Sequence, residues 1–556
     1  MSTEIKTDGK AIKVRIRRIS AEHVGKLVQV RGWLRNKPGG KGRYFLWLRD
    51  GSGEIQAIAE QEKMSAEQWE RIESIGIESS IIVDGVVREH PKEPGVYELE
   101  FSHIEVLQAV TDYPLGKKEH GTEFLMKNRH LWLRGKRQSA ILRIRSEIHK
   151  AWADFFHERG FFRVDTPIFT PNACEGTTTL FEVAYHGDKV YLSQSGQLYN
   201  EADIGALGQV YCFGPTFRAE KSKTRRHLLE FWMLEMEAAF YDLDDNIAFQ
   251  QDMIAFTVER ILERCMQDLH DIWSAVRNKD KRSFEDWVGR LRPATQTPYP
   301  RLRYGDTIEM INTERESYLQ QYQEAYPKAT IVFEDGSLRA MKKLSWEELR
   351  EAWLACSIAE FQAAGKAVAA SDDDDDDDSE VARPAALPAV KPFRWGEDFG
   401  APDETLIGSK FDRPVFVSNF PIEIKGFYFK DELDESGERV VDPVFASLPD
   451  GMKESDMSGY TVLGADLIGH EGAGEMIGGS QREDDTERLF EKVRHHQLPE
   501  EEFQWYLDCR RFGNVPHSGF GIGMERFTAW ICGGTDTPVH IREVITFPRM
   551  LHQYRP

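Results

Sequence analysis

The chain has 556 residues, of which 40% are hydrophobic and 29% are charged. This balance is typical of globular proteins and excludes both a mini-protein and a wholly disordered chain. No apolar run approaches the roughly 18–20 residues that a membrane-spanning helix needs. The first residues are charged and contain no apolar signal core, and the six cysteines are scattered without a CxxC pair. We therefore expect a cytoplasmic protein with no membrane contact, no structural zinc and no disulfide framework.

The formal charge of −22 conceals a local contrast. Seven acidic residues form one run, Asp372 to Asp378, whereas residues 1–50 hold 13 Lys or Arg against 4 Asp or Glu. A basic module on an acidic body suits a polyanion that is bound at one place, although a solvated basic face is a simpler interpretation. Charge alone therefore leaves nucleic-acid binding open.

Residues 1–110 predict a small barrel of the OB type. Strands are expected at residues 28–34, 44–49, 54–59, 80–87 and 97–107, between glycine- and proline-containing turns. Aromatic and basic residues interleave in the first two strands, as in barrels that stack single-stranded bases on aromatic side chains. For Trp33 and Trp47, burial in the barrel core is the favoured interpretation.

Helices and strands mix over the rest of the chain. Residues 111–135 are expected to be a linker, and apolar residues at helical spacing predict a helix from about 139 to 159. Residues 136–556 show neither a βαβ rhythm nor a glycine-rich phosphate loop, so a doubly wound nucleotide fold has no support. An insertion at about 313–392 contains the Asp run. Its part 366–392 is expected to be disordered, because like charges repel one another and stay solvated.

Two segments contain residues suited to phosphate chemistry. Residues 217–220 (Phe-Arg-Ala-Glu) and 227–231 (His-Leu-Leu-Glu-Phe) flank a basic loop, which predicts a hairpin with Arg218 and Glu220 on one face. An arginine there can bind a phosphate with two N–H groups, although a surface salt-bridge ladder is an equal alternative. Residues 519–526 (Gly-Phe-Gly-Ile-Gly-Met-Glu-Arg) alternate glycine along a strand, so a flat ligand can lie on it.

Together these segments resemble the motifs of the class II aminoacyl-tRNA synthetases, within them the aspartate, asparagine and lysine group, and most closely its asparaginyl members. Residues 217–231 resemble motif 2, residues 519–526 resemble motif 3, and residues 160–167 (Gly-Phe-Phe-Arg-Val-Asp-Thr-Pro) resemble motif 1. The resemblance covers all but the insertion. It implies an α+β fold, with an N-terminal OB-fold β-barrel followed by a catalytic domain built on an antiparallel β-sheet flanked by helices.

The resemblance also implies substrates and site residues. L-asparagine and ATP would form an adenylate with Mg²⁺ as cofactor, and the amino acid would pass to the 3′ end of tRNA(Asn). Arg218, Glu220 and Arg526 would be catalytic, and Asp466 and Glu475 would ligate Mg²⁺. The residues expected to bind ATP are Arg218, Glu220, His227, Phe231, Glu475 and Arg526. A homodimer is implied through the motif 1 region around Pro167.

The segment 191–200 bears on the choice of amino acid. Aspartyl enzymes resemble it but carry a lysine where this chain has Asn200, so a buried substrate carboxylate would lack its charge partner. Arg482 can donate to the amide oxygen of asparagine, and Glu175 and Gln197 would contact its ammonium or amide end. The residues expected to bind the amino acid are Glu175, Gln197, Asn200, Glu235 and Arg482.

In the relatives, a strand phenylalanine stacks on an anticodon base and a glutamine reads the central uridine; Phe45 and Gln56 match that spacing. Aspartate and asparagine anticodons share this base, so the pair does not separate the two substrates. Three alternatives stay open: a non-discriminating aspartyl-tRNA synthetase, a paralogue that makes asparagine, and an RNA-binding scaffold on an inactive synthetase fold. Asn200 argues against the first, the barrel against the second, and the intact Arg218 and Arg526 against the third.

Overall fold

The structure is a computed structural model that describes residues 11–116, 118–171, 180–220, 227–325, 330–333, 335–355, 358–363, 366–367 and 391–555. The chain divides into two compact units, Met1–Trp132 and Leu133–Pro556. The predicted linker at 111–135 falls almost entirely within the first unit. Within the described ranges, no helix is both long enough and apolar enough to cross a membrane.

The first unit is a β-barrel followed by two short helices. Its elements are β1 (Ile12–Lys13), β2 (Leu27–Asn36), β3 (Gly39–Gly40), β4 (Arg43–Arg49), β5 (Glu54–Glu60), α1 (Ala66–Ser74), β6 (Ser80–Glu89), β7 (Tyr97–Gln108), α2 (Thr122–Lys127) and α3 (Arg129–Trp132). The strand order is β1-β2-β6-β7-β5-β4-β3, and an added pairing of β2 with β4 closes the sheet. Val28, Val30, Leu46 and Leu48 alternate into a core with no exposed surface. The prediction of an OB-type barrel is confirmed.

The outer face of β2 and β4 corrects the expectation for Trp33 and Trp47. These side chains are 40% and 36% exposed, because they alternate with the buried Leu34, Leu46 and Leu48 and so point away from the core. Large aromatic side chains are expected to be buried because of their residue type, but the two-residue period of a strand decides which face each one occupies.

The second unit is built around a large sheet with helices against it. Its elements are α4 (Lys136–Glu158), β8 (Phe162–Arg163), β9 (Phe169–Thr170), β10 (Glu182–Tyr185), β11 (Asp188–Leu192), α5 (Gln197–Leu207), β12 (Gln209–Phe217), β13 (Glu230–Ala239), α6 (Leu243–Arg264), α7 (Met266–Val276), α8 (Phe284–Gly289), β14 (Arg301–Arg303), α9 (Tyr304–Ala325), β15 (Thr330–Phe333), β16 (Leu338–Ala340), α10 (Trp346–Leu354), β17 (Ile358–Ala363), β18 (Lys366–Ala367), α11 (Ala401–Ser409), β19 (Val415–Pro421), α12 (Pro443–Ser447), β20 (Thr461–Gly469), β21 (Gly474–Gln481), α13 (Thr486–His495), α14 (Glu500–Arg511), β22 (His517–Gly523) and α15 (Met524–Cys532).

The main sheet has eight described strands in the order β14-β19-β20-β21-β22-β13-β12-β8. Every pairing from β19 to β12 is antiparallel, and the two edge pairings are parallel. The predicted hairpin is β12 and β13, and the predicted helix near 139 is α4. Trp152, Phe155 and Phe156 of α4 are fully buried in the core beneath the sheet. The prediction of an antiparallel catalytic sheet is confirmed.

The predicted insertion at 313–392 begins inside α9, which continues to Ala325 without a break. A small sheet follows, in the order β16-β15-β17-β18, with α10 between β16 and β17. This part has its own core, formed by Leu319, Ile331, Phe333, Met341, Leu349 and Trp353. Residues 368–390, with the Asp run, lie outside the described residues, so the expected disorder of 366–392 stays a prediction.

Candidate active site

A cavity of about 630 Å³ lies over the centre of the main sheet. Ten of the predicted site residues line it: Gln197, Arg218, Glu220, His227, Phe231, Glu235, Asp466, Glu475, Arg482 and Arg526. They come from sequence positions almost 330 residues apart, and the sheet brings them together. Glu175 lies outside the described residues, and Asn200 is not among the residues that line the cavity.

Strand register explains why the cavity is open in the middle and acidic at both ends. Glu235 of β13 pairs with Gly521 of β22, Gly521 pairs with Gly478 of β21, and Gly478 pairs with Asp466 of β20. Partners that lie directly opposite one another project to the same face. Two carboxylates therefore stand at the ends of one row, and the two glycines between them leave space above the sheet.

The hairpin end of the cavity contains an arginine beside an aromatic ring. The Arg218 guanidinium lies 5.5 Å from the centre of the Phe231 ring. Strand β12 ends at Phe217, one residue before Arg218, which was predicted to lie on the strand. The backbone N–H of Arg218 still donates to the backbone oxygen of Leu229 at 3.0 Å. His227 Nε2 lies 3.7 Å from Glu220 Oε2. A cationic group and an aromatic face at one end suit a nucleotide phosphate and its base.

At the opposite end, Asp466 and Glu475 converge above Gly478. A Cβ atom at Gly478 would lie 3.2 Å from Glu475 Oε1 and 3.6 Å from Asp466 Oδ1. Arg526 Nη1 donates to the Glu475 backbone oxygen at 2.8 Å, so Arg526 also faces this end. Two carboxylate oxygens that face one small space are ligands of the kind that Mg²⁺ prefers.

Lys425, which the sequence reasoning did not single out, lies beside Asp466. Its Nζ donates to Asp466 Oδ2 at 2.6 Å and lies 3.7 Å from the centre of the Phe420 ring. Burial, opposed by Lys425 and reinforced by Glu475, raises the pKa of Asp466 to about 7. Although burial disfavours the ammonium, the Asp466 carboxylate raises the pKa of Lys425, which therefore carries a charge at neutral pH.

Glu235 is held by the start of α5. The backbone N–H of Gly196 donates to Glu235 Oε2 at 2.7 Å, and the Ser195 hydroxyl donates to Glu235 Oε1. The side chain is 5% exposed and still lines the cavity. A fixed, buried carboxylate of this kind suits a ligand ammonium group.

Arg482 forms a buried ion pair with Glu237. Its Nε donates to both Glu237 oxygens at 3.1 and 3.2 Å, and its Nη1 donates to Ser480 Oγ at 2.7 Å. Burial raises the pKa of Glu237 and the Arg482 charge lowers it. Both Glu237 oxygens accept from the guanidinium, which favours the ionised carboxylate. Glycine is required at 519, where a Cβ atom would lie 2.1 Å from Glu237 Oε1.

Asn200 lies behind this wall of the cavity and has no exposed surface. Its Nδ2 donates to the backbone oxygen of Glu235 at 3.2 Å and lies 3.4 Å from Cys212 Sγ. It therefore supports the strand that carries Glu235. The predicted role of Asn200 in binding the amino acid stays a prediction.

Sequence reasoning missed Glu201, Glu237 and Lys425. One signal was present, because Glu235 and Glu237 alternate with Leu234 and Met236 along one strand, as residues on a single face do. Glu201 comes directly after the segment 191–200, but nothing local shows that its partners come from α14 and β22, some 300 residues away.

Known proteins resemble this chain in sequence and in fold. A family model described as tRNA synthetases class II (D, K and N) matches residues 121–551, and one described as OB-fold nucleic acid binding domain matches residues 28–107. An asparagine–tRNA ligase of Desulforamulus reducens is 42% identical over 535 residues, with 96% of this chain and 98% of that protein covered. One from Thermus thermophilus is 40% identical over 538 residues, with 96% and 98% covered.

The crystal structure of asparaginyl-tRNA synthetase from Pyrococcus horikoshii complexed with asparaginyl-adenylate aligns with a TM-score of 0.72 at 31% identity. The alignment covers 98% of this chain and 99% of that one. The family that the motifs resembled is thus confirmed on sequence and on fold. The chain belongs to the class II tRNA synthetases of the D, K and N group.

Proposed function

We propose that the chain is an asparagine–tRNA ligase. It activates L-asparagine with ATP to asparaginyl-adenylate and pyrophosphate, and then transfers the asparaginyl group to the 3′ end of tRNA(Asn). The observation that carries the proposal is the ion pair at the amino-acid end of the cavity, where Glu237 neutralises the Arg482 cation. Full-length relatives named asparagine–tRNA ligases support it.

The first step needs positioning and charge neutralisation and no covalent intermediate on the protein. A carboxylate oxygen of asparagine attacks the α-phosphorus of ATP, the bond to the bridging oxygen of the β-phosphate breaks, and pyrophosphate leaves. Arg218 is placed to stabilise charge on the α-phosphate, with Phe231 against the adenine and Arg526 at the far phosphates. Glu235 binds the ammonium group and fixes the attacking carboxylate.

Asp466 and Glu475 are the residues that would hold Mg²⁺. Their convergence over Gly478 supports this assignment, because a side chain at 478 would fill the space between their oxygens. A bound Mg²⁺ would neutralise charge on the ATP phosphates. Lys425 keeps Asp466 Oδ2 occupied, so Oδ1 is the oxygen directed at that space.

A neutral amide fits the Arg482 end better than a carboxylate does. The guanidinium can donate to the amide oxygen, while its own charge is balanced by Glu237. An aspartate side chain placed there would be a second carboxylate in a buried site, and an unpaired buried charge costs several kcal/mol. This argues against a non-discriminating aspartyl enzyme.

The outer face of the barrel is the proposed anticodon site. Phe45 is paired with Ile58, and Gln56 is paired with Trp47, so these four side chains share one face. Trp33, which is 40% exposed, adds a further aromatic surface to β2. Exposed rings beside polar groups suit bases of a single strand.

Charging of a tRNA(Asn) transcript with radiolabelled asparagine tests the proposal. We expect wild-type protein to charge it, and F45A to lose about tenfold or more in kcat/KM for tRNA, because a base–aromatic stack is removed. ATP–pyrophosphate exchange without tRNA should be unchanged in F45A. L107A, which removes an exposed side chain of the same unit, is the matched control. Equal charging by F45A and L107A would exclude the anticodon assignment.

The motif 1 region supports a homodimer. Phe162, Ile168 and Phe169 are 54%, 43% and 49% exposed around the exposed Pro167, which is a concentration of apolar surface typical of protein interfaces. A symmetric dimer would cover this surface, and sedimentation velocity would report its mass. Cytoplasmic location is proposed with the function, because tRNA charging serves translation there.

A further inference from the structure

A buried charge network lies behind Arg482, away from the cavity surface. Its centre is Glu201 of α5, whose side chain has no exposed surface. Glu201 accepts hydrogen bonds from Gln197 Nε2 at 2.9 Å, from the Tyr506 hydroxyl at 2.8 Å, and from Arg510 Nη2. His517 Nε2 lies 3.1 Å from the same carboxylate. The donors come from α5, α14 and β22, so Glu201 connects three elements.

Glu201 touches two residues that line the cavity. Gln197 donates to it directly, and the Arg482 Nε lies 3.9 Å from Glu201 Oε1. Arg482 is thus within ion-pair distance of two carboxylates, Glu237 and Glu201. Neither Glu201 nor Arg510 is among the residues that line the cavity.

The charges of this network balance. Its ionised members are two guanidinium groups and two carboxylates: Arg482, Arg510, Glu201 and Glu237. Although burial opposes ionisation of Glu201, the Arg510 guanidinium and the His517 ring hold its pKa well below the usual range. Burial and the Arg510 charge lower the pKa of His517, which favours its neutral ring. Burial also raises the pKa of Tyr506, which stays a neutral donor.

We propose that Glu201 is a positioning residue that sets the preference for a side-chain amide over a carboxylate, because its buried negative charge keeps the network around Arg482 neutral. This inference rests on the proposed function. If Glu201 lost its charge, the network would carry one excess positive charge beside the amino-acid site. An aspartate carboxylate would then supply the missing partner. If Arg510 lost its charge instead, the excess would be negative and aspartate would be repelled.

The two substitutions therefore have opposite expected signs, which a purely structural role would not produce. The probes are the sulfamoyl analogues of asparaginyl-adenylate and aspartyl-adenylate. Calorimetry at pH 8 measures the dissociation constant of each, and the quantity compared between variants is the ratio of the aspartyl constant to the asparaginyl constant. We expect E201Q to lower this ratio by at least about tenfold and R510Q to raise it by a similar factor. The double variant E201Q/R510Q restores neutrality, so its ratio should return towards the wild-type value.

The ratio does not depend on the fraction of correctly folded protein, because both analogues report on the same active molecules. D280N is the matched control, since Asp280 is a fully buried carboxylate paired with Arg282 that does not line the cavity. Its ratio should equal that of wild type.

If E201Q does not fold, the direction in which R510Q shifts the ratio tests the inference by itself. A ratio for E201Q within twofold of wild type, or shifts of E201Q and R510Q in the same direction, would overturn the inference. Wild-type protein that binds neither analogue, or prefers the aspartyl one, would instead refute the proposed function.

Discussion

Replacing Arg218 by alanine is expected to lower asparagine-dependent ATP–pyrophosphate exchange by about a thousandfold or more. The guanidinium lies over the Phe231 ring and lines the cavity, so in the proposed reaction its charge would face the phosphate at which the adenylate forms. Loss of one preorganised charge at a reacting centre typically costs a factor of 10²–10³, and a bidentate phosphate contact is among the stronger cases.

The loss should appear mainly in kcat, because the charge on the α-phosphate grows as the transition state forms. The matched control is R292A, which removes an exposed arginine paired with Glu285 outside the cavity. R292A should exchange at the wild-type rate. An R218A enzyme that retained more than a tenth of wild-type exchange would contradict the assigned role.

Replacing Glu235 by glutamine is expected to lower kcat/KM for asparagine by about a hundredfold or more. The variant keeps an oxygen that can accept from Gly196. It loses the negative charge that, in the proposed function, pairs with the substrate ammonium. The effect should fall chiefly on the KM for asparagine, and the KM for ATP should change little. Exchange measured over a range of asparagine concentrations separates the two constants.

D403N serves as the control for loss of a buried carboxylate, because Asp403 pairs with Arg315 away from the cavity. Thermal unfolding of both variants checks that the fold is intact. If E235Q shifted the KM for ATP and left the KM for asparagine unchanged, Glu235 would belong to the nucleotide end and not to the amino-acid end.

Much of the fold could be predicted because its signals are local. The strands of the barrel follow from short apolar runs between turns, and α4 follows from apolar residues at helical spacing. The motif residues were found because their types and spacing are specific, and register then placed Glu235 and Asp466 at opposite ends of a glycine floor. Periodicity, turns and motifs are properties of neighbouring residues.

What could not be predicted depends on distant contacts. Trp33 and Trp47 were assigned to the core on residue type, but strand alternation places them on the outer face. Asn200 was expected to touch the substrate, whereas its amide supports the Glu235 backbone from behind. The network around Glu201 joins residues about 300 positions apart, and no local pattern shows such a partnership.

The insertion also depends on distant contacts that its sequence does not show. The sequence predicts disorder only for 366–392, and the described part of the insertion contains a small sheet with a core of its own around Trp353. Apolar residues that are sparse in sequence, such as Leu319 and Ile331, meet there only after α9 and β15 pack together. Composition averages over such a segment and misses a core of this size.

ATP–pyrophosphate exchange measured in parallel with asparagine and with aspartate tests whether a charge-balanced pocket selects asparagine. We expect rapid exchange with asparagine and at least a hundredfold lower kcat/KM with aspartate, because a second buried carboxylate beside Glu237 lacks a partner. Comparable exchange with aspartate, or exchange with aspartate alone, would show that the pocket does not select the amide.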